Sequence, residues 1–290
     1  MARRAAVIVS GGGSTSPFTT PRAGCAQGQA AGGTDTALRA ALLEAGIETY
    51  TAPVTVGGGP AEVDSGWAGF ADPPAVLPSE MTVDSVGEIE GSAARLARFL
   101  HYLHDEHGVQ EFDIVAHSLG AVIARSAHMQ LRGAQARCAV VSLTSVGTPW
   151  LGSFVRHFDR ESMPMPEPAA SYAASLMGHM RQGGRLVADA DAPPTWSAGK
   201  EHGLDGLVLT RVAGTHFRGH GEPYPHDGMA SRTSAFAEGA DPKVFPDATC
   251  HEVDGVHSIY FARVMDLSWE RSITWDPRVM ELVVAAITGA

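Results

Sequence analysis

The 290-residue chain is long enough for one sizeable domain with a buried core. Its 21 Lys and Arg against 32 Asp and Glu leave a formal charge of −11, a field that repels phosphate backbones and offers no basic stripe to nucleic acid or anionic lipid. Apolar residues make up 44% and charged ones only 18%, with 33 glycines, which excludes a disordered acidic chain, a coiled coil and collagen and leaves a compact, loop-rich protein.

The first predicted strand is Ala5–Ser10, ended abruptly by Gly11-Gly12-Gly13. Its apolar stretch is too short for the core of a signal peptide, and no run approaches the ~20 residues of a membrane span. The chain as given is therefore expected in the cytoplasm without stable membrane insertion, or outside the cell if a leader precedes it. A polar loop leads to a helix over Thr34–Ala45, with Thr34 as cap and Gly46 at its exit, and then to a strand at Ile47–Ala52. Residues 57–80, rich in Gly and Pro, read as an excursion. The strongest helix runs from about Asp84 to His107, with Ile89, Ala93, Leu96, Leu100 and Leu103 on one face.

Next come a strand at Phe112–Ala116, a turn at His117-Ser118, a helix from Leu119 to about Leu131, and a strand at Ala139–Val146. The stretch 150–204 changes texture, with Met163-Pro-Met-Pro, Met177, Met180 and Pro193-Pro194, and reads as an inserted cap or lid carrying one or two short helices. Leu207–Ala213 and Thr249–Val253 resume the strand pattern, and Asp276–Ile287 closes the chain as a helix. Strands alternating with helices predict a single α/β domain over residues 1–290, with a mainly parallel central sheet covered by helices on both faces.

The segment Phe112-Asp-Ile-Val-Ala-His-Ser-Leu-Gly-Ala carries the chemistry. A strand enters a helix through a turn with Ser118 at its apex, and small residues at 116 and 120 let neighbouring chain pass close by. Such a turn lifts the hydroxyl above the sheet edge and aims the Leu119 N–H at an oxyanion formed there. The alternative is a serine that merely caps a helix. A serine nucleophile needs a histidine held by a carboxylate. Functional groups in a parallel sheet lie beyond the carboxyl ends of its strands, which favours His257, just past Val253, over His251 and His128 among the 13 histidines. Asp227 follows the Leu207–Ala213 strand in His226-Asp-Gly-Met, whereas Asp205 precedes it; Asp241, Asp247 and Asp254 remain competitors.

These residues resemble the α/β-hydrolase family, in its bacterial lipase and esterase branch. Ala116-His-Ser-Leu-Gly120 is similar to the family's nucleophile elbow with alanine in the first glycine position. Val146-Gly-Thr-Pro-Trp-Leu-Gly-Ser153 is similar to a stretch after the next strand in lipases, with Trp150 in place of histidine. Val7–Gly13 resembles the loop carrying the first oxyanion donor, with Ser10 where the family usually has histidine. The resemblance implies the triad Ser118, Asp227, His257, with the N–H groups of Gly12 and Leu119 as oxyanion hole. It implies a carboxylic-ester hydrolase working through an acyl-enzyme, with no cofactor and no metal. His117 in the elbow, Trp150 after the next strand, and Met163 and Met177 in the cap are the candidate substrate contacts. The partner expected is a small acyl ester or lipid, not nucleic acid.

An acyltransferase or thioesterase with the same triad, or a hydrolase-like scaffold that binds without turnover, are the rival readings. Weaker signals point elsewhere. Gly11–Ser16 lacks the Gly-Lys-Ser/Thr of a phosphate loop. The histidines at 101, 104 and 107 suit a helix end, and His216, His220 and His226 have loose spacing for a metal. Cys25, Cys138 and Cys250 fit no zinc pattern and are expected as free thiols.

Overall fold

The protein is described by a computed structural model that covers residues 2–21, 35–61, 76–183 and 200–289. Thr34, Cys25, Pro193-Pro194 and the middle of the 57–80 excursion lie outside the described residues. Strand β1, Arg4–Val9, shows why the sheet is central. Ala5, Val7 and Val9 pack on one face with Leu96, Leu100, Leu103 and Val122, while Ala6 and Ile8 pack on the other with Leu38, Leu42, Val279 and Val283. A strand covered on both sides reads as a continuous apolar run, as Ala5–Val9 does.

The elements follow in order as α1 (Thr36–Glu44), β2 (Thr49–Thr51), β3 (Val54–Thr55), β4 (Val83–Asp84), α2 (Ile89–His107), β5 (Glu111–His117), α3 (Leu119–Gly133), β6 (Ala139–Val146), α4 (Ala169–Gly183), β7 (Val208–Gly214), α5 (Arg232–Phe236), β8 (Thr249–Val253), α6 (Ile259–Val264) and α7 (Pro277–Thr288). Six strands make one sheet in the order β2-β1-β5-β6-β7-β8, and each described pairing is parallel. Helices α2 and α3 cover one face, and α1 and α7 the other. Because these strands run parallel, the loops after β1, β5, β6, β7 and β8 open on one carboxyl edge, and the sheet order reverses direction between β1 and β5.

Three expectations shift. Asp84 belongs to a short strand pair with Val54–Thr55, and α2 starts five residues later at Ile89. Helix α1 begins after Asp35, and the residue at its cap makes no capping bond to the helix N–H groups. Asp276, by contrast, caps α7 by accepting from the Arg278 N–H, with Pro277 in the first turn. The short helices α5 and α6 were not foreseen, because neither is long enough to establish an apolar period.

Candidate active site

Ser118 joins β5 directly to α3 with φ 52° and ψ −128°, a backbone conformation that L-residues rarely adopt. Strain of this kind costs on the order of 1–3 kcal/mol and persists only where the surroundings impose it. The surroundings are specific. The Ser118 N–H donates to the Val146 carbonyl at 2.9 Å. A Cβ at Gly120 would lie 2.5 Å from the Val9 carbonyl oxygen and 2.7 Å from that of Ser10, so only glycine lets β1 end against the first turn of α3. Ser118 occupies the cap position of α3 but its side chain makes no capping bond. The helix-cap alternative therefore fails for its hydroxyl.

That hydroxyl lies 3.0 Å from Nε2 of His257. On the far side of the ring, His257 Nδ1 lies 2.7 Å from Oδ2 of Asp227. The arrangement fits a neutral imidazole that donates to the carboxylate through Nδ1–H and accepts the serine proton at Nε2. Asp227 is fully buried, and its other oxygen, Oδ1, accepts the N–H groups of Met229 and Ala230 at 2.8 Å each. The backbone N–H of His257 also donates to the Asp227 carbonyl at 2.9 Å, so the acid and histidine loops are joined twice. Gly214 at the end of β7 makes room: a Cβ there would lie 2.7 Å from Cβ of Asp227.

The competing acids lie elsewhere. Asp254 pairs with Arg271 at 2.9 Å and with His216 at 3.3 Å. Asp205 bonds the His202 ring at 2.9 Å, and Asp241 accepts the Lys243 N–H at 2.9 Å. His128 is buried in α3 near the Asp205 carbonyl at 3.4 Å, and His251 sits within β8.

The glycine loop after β1 runs beside the elbow. A Cβ at Gly11 would meet Ser118 Cβ at 2.9 Å, and one at Gly12 would meet Leu119 Cδ2 at 3.4 Å and Met180 Cε at 2.7 Å. Ser10, standing where the resemblance leads one to expect histidine, donates its buried hydroxyl to the carboxylate of Asp35 at the start of α1. The loop is thus anchored by a serine–aspartate pair.

The four candidate substrate contacts fare differently. Trp150 is 1% exposed, with its indole N–H 3.3 Å from the Ser145 hydroxyl and its ring beside Arg125 and Phe245. It is a core residue and has no surface left for substrate. His117 is 4% exposed and faces His257 instead of an open pocket. Met163 and Met177 are buried with Phe154, Phe217, Met229 and Phe261. Over the glycine loop lie two other α4 residues, Met180 against Gly12 and Leu176, whose Cδ1 is 3.5 Å from a Cβ built on Gly13. Their spacing of four residues places them on one helix face, a signal that was present in the sequence.

His226, beside the acid, is also buried. Its Nε2 lies 3.0 Å from the Pro164 carbonyl, its Nδ1 accepts the Gly228 N–H at 3.2 Å, and Phe154, Phe217 and Tyr224 surround the ring. Burial pushes its pKa down to about 4. A cavity of about 200 Å³ bordered by Ser153, Arg156, His157 and Glu222 does not include Ser118. Among the described residues no group of His, Cys, Asp and Glu could hold a metal, and no helix is long and apolar enough to cross a membrane. Cys138 and Cys250 are free thiols.

Residues 76–182, which hold Ser118 but neither Asp227 nor His257, match the family described as "Putative serine esterase (DUF676)". No curated protein matches the chain in sequence. Among solved structures, the thermophilic carboxylesterase EstE1 from a metagenomic library is 12% identical with a TM-score of 0.52, over 99% of this chain and 80% of that one. The esterase of Pyrobaculum calidifontis is 13% identical with a TM-score of 0.52, over 99% and 77% of the two chains. The chain has the α/β-hydrolase fold. An esterase of Pyrococcus furiosus shares that fold too, at 9% identity and a TM-score of 0.50, over 99% of this chain and 82% of the other. In the α/β-hydrolase fold found here, the loops after β5, β7 and β8 carry Ser118, Asp227 and His257 in that chain order.

Proposed function

We propose that this protein is a serine carboxylic-ester hydrolase, an esterase or lipase acting through Ser118, His257 and Asp227. The observation that carries the reading is the continuous pair of contacts from Ser118 Oγ through His257 to the buried Asp227 carboxylate, 3.0 and 2.7 Å long. His257 takes the Ser118 proton as the oxygen attacks the ester carbonyl carbon. Asp227 holds the ring with Nε2 toward the serine and stabilises the imidazolium that forms. The tetrahedral oxyanion is received by the N–H groups of Gly12 and Leu119, a contribution of roughly 2.7–4 kcal/mol per donor in such sites. The imidazolium returns its proton to the departing alcohol and leaves an acyl-Ser118. Water, deprotonated by the same His257, then releases the acid.

Of the 150–204 cap, the described residues 150–183 cover this edge through α4. The acyl chain runs along Leu119, Leu176 and Met180, where an unbranched thioether adapts to chains of differing shape. The substrate class is a neutral acyl ester, in keeping with a face that gathers leucine and methionine around the glycine loop. The −11 charge opposes binding to anionic membranes and favours departure of the carboxylate product.

The test is hydrolysis of p-nitrophenyl esters from acetyl to palmitoyl. The wild-type protein is expected to turn over at least one of them, and Ser118→Ala to lose at least ~10³-fold in kcat with its melting curve intact. Undiminished turnover in Ser118→Ala overturns the proposal.

A further inference from the structure

His117 immediately precedes the serine, yet none of the chemistry above uses it. It is 4% exposed, and its ring is packed on that of His257 with centroids 4.7 Å apart at 43°. Its Nε2 lies 3.0 Å from the backbone carbonyl oxygen of His257. A carbonyl can only accept, so Nε2 carries the hydrogen, and the ring is the neutral Nε2–H tautomer with a lone pair on Nδ1. That Nδ1 is buried with no hydrogen-bond partner in the structure and lies 3.1 Å from the position a Cβ would take on Gly11. A second proton there would be buried against backbone without an acceptor, and burial together with His257 holds the His117 pKa well below the usual histidine value.

We propose that His117 is a positioning residue that fixes the general base, by clamping the His257 main chain through Nε2–H while remaining neutral. The inference rests on the ester-hydrolase reading of Ser118, Asp227 and His257. Its physical content is geometric. The loop after β8 is joined to Asp227 on one side by the His257 N–H and the ring Nδ1. On the other side the His257 carbonyl is joined to β5 through His117. Because His117 and Ser118 are consecutive, this bond ties base and nucleophile to the same strand end. The two atoms that must exchange a proton are therefore held in common register. Releasing the carbonyl lets the imidazole shift relative to Oγ, and a displacement of about 1 Å costs on the order of 10²-fold in rate. Substrate binding is untouched, since His117 presents almost no surface.

The side-chain amide of Gln reaches about as far as Nε2 of histidine, whereas that of Asn reaches only about as far as Nδ1. His117→Gln can restore the donor to the His257 carbonyl; His117→Asn and His117→Leu cannot. With a p-nitrophenyl ester that the wild type hydrolyses, His117→Leu and His117→Asn are expected to lower kcat by about 10–100-fold with KM changed less than about twofold, and His117→Gln to recover most of that loss. Equal losses in all three variants, or a loss confined to KM, overturn the inference. A measurement on the unaltered protein keeps it testable if the variants do not fold. Imidazole nitrogen NMR should show His117 as the neutral Nε2–H tautomer from pH 8 to pH 5. An Nδ1–H tautomer or an ordinary titration in that range contradicts the clamp. Failure of the wild type to hydrolyse any ester would instead count against the ester-hydrolase reading.

Discussion

The loops at the carboxyl edge and the 150–183 segment solve opposite problems. At the edge, polar contacts decide position: Asp227 has both carboxylate oxygens engaged, His257 is bonded through its ring and its main chain, and Ser118 is held in a backbone conformation it would not choose. In the 150–183 segment, apolar packing takes the place of such directional contacts. Met163, Met165 and Met177 fill a cluster with Phe154, Phe217 and Phe261, while Leu176 and Met180 lie over the glycine loop. Directional bonds fix atoms to fractions of an ångström; methionines tolerate rearrangement. If the proposed function holds, bonds at the sheet edge specify the chemistry and adaptable packing the choice of acyl chain, so changes in the two regions should show in different kinetic constants.

The sharpest break comes from Asp227→Asn. It keeps the shape but favours the wrong tautomer of His257, and a fall of about 10⁴-fold in kcat is expected with the fold retained. The parallel change Asp254→Asn should be nearly silent in kcat, because Asp254 faces Arg271 and His216. A crippled Asp254→Asn with an active Asp227→Asn would reverse the assignment of the acid.

A second test concerns the joint between the two regions. His226 links the acid loop to the Pro164 carbonyl of the methionine segment, and burial pushes its pKa from 6.5 to about 4. Between those values the unfolded chain takes up a proton that the native ring refuses. The stabilisation is therefore complete above about pH 6.5 and is lost as pH falls toward 4, by about 3 kcal/mol over the window. His226→Gln should show a shallower decline of melting temperature across the same range. An identical decline in both proteins would remove His226 from the account.

The smallest effect is expected in the methionine segment itself. Met180→Ala opens space beside Gly12, and the ratio of kcat/KM for long over short acyl esters should rise by about tenfold, with kcat on the short ester nearly unchanged. A loss of kcat on all esters alike would mean that α4 supports the chemistry directly and would blur the distinction drawn here.

The two regions also differ in how far they could be read from sequence. The strand, turn and helix around Ser118 were legible because a short apolar run meets a helix of small residues at one serine, with Ala116 and Gly120 on either side, and β6, β8 and α7 were legible as apolar runs between turn residues. Asp227 and His257 could be singled out because parallel topology sends their loops to the same edge as Ser118. Trp150 could not be placed that way. Its position after β6 suggests a pocket wall, but its burial depends on Arg125 and Phe245, partners distant in sequence. Nor could the Ser10–Asp35 anchor, which joins residues from separate loops, or the side-chain directions that put Met180 and not Met177 over Gly12. Contacts of that kind are fixed by tertiary packing, which single-sequence periodicity does not encode.

The most direct measurement is covalent capture of the nucleophile. A fluorophosphonate ester offered to the folded protein should lose fluoride as Ser118 Oγ attacks its phosphorus, label that oxygen alone and abolish ester hydrolysis in proportion to labelling, as read by peptide mass. Labelling should vanish in Ser118→Ala and slow in Asp227→Asn. Capture at another residue, or continued hydrolysis by protein fully labelled at Ser118, would contradict the account.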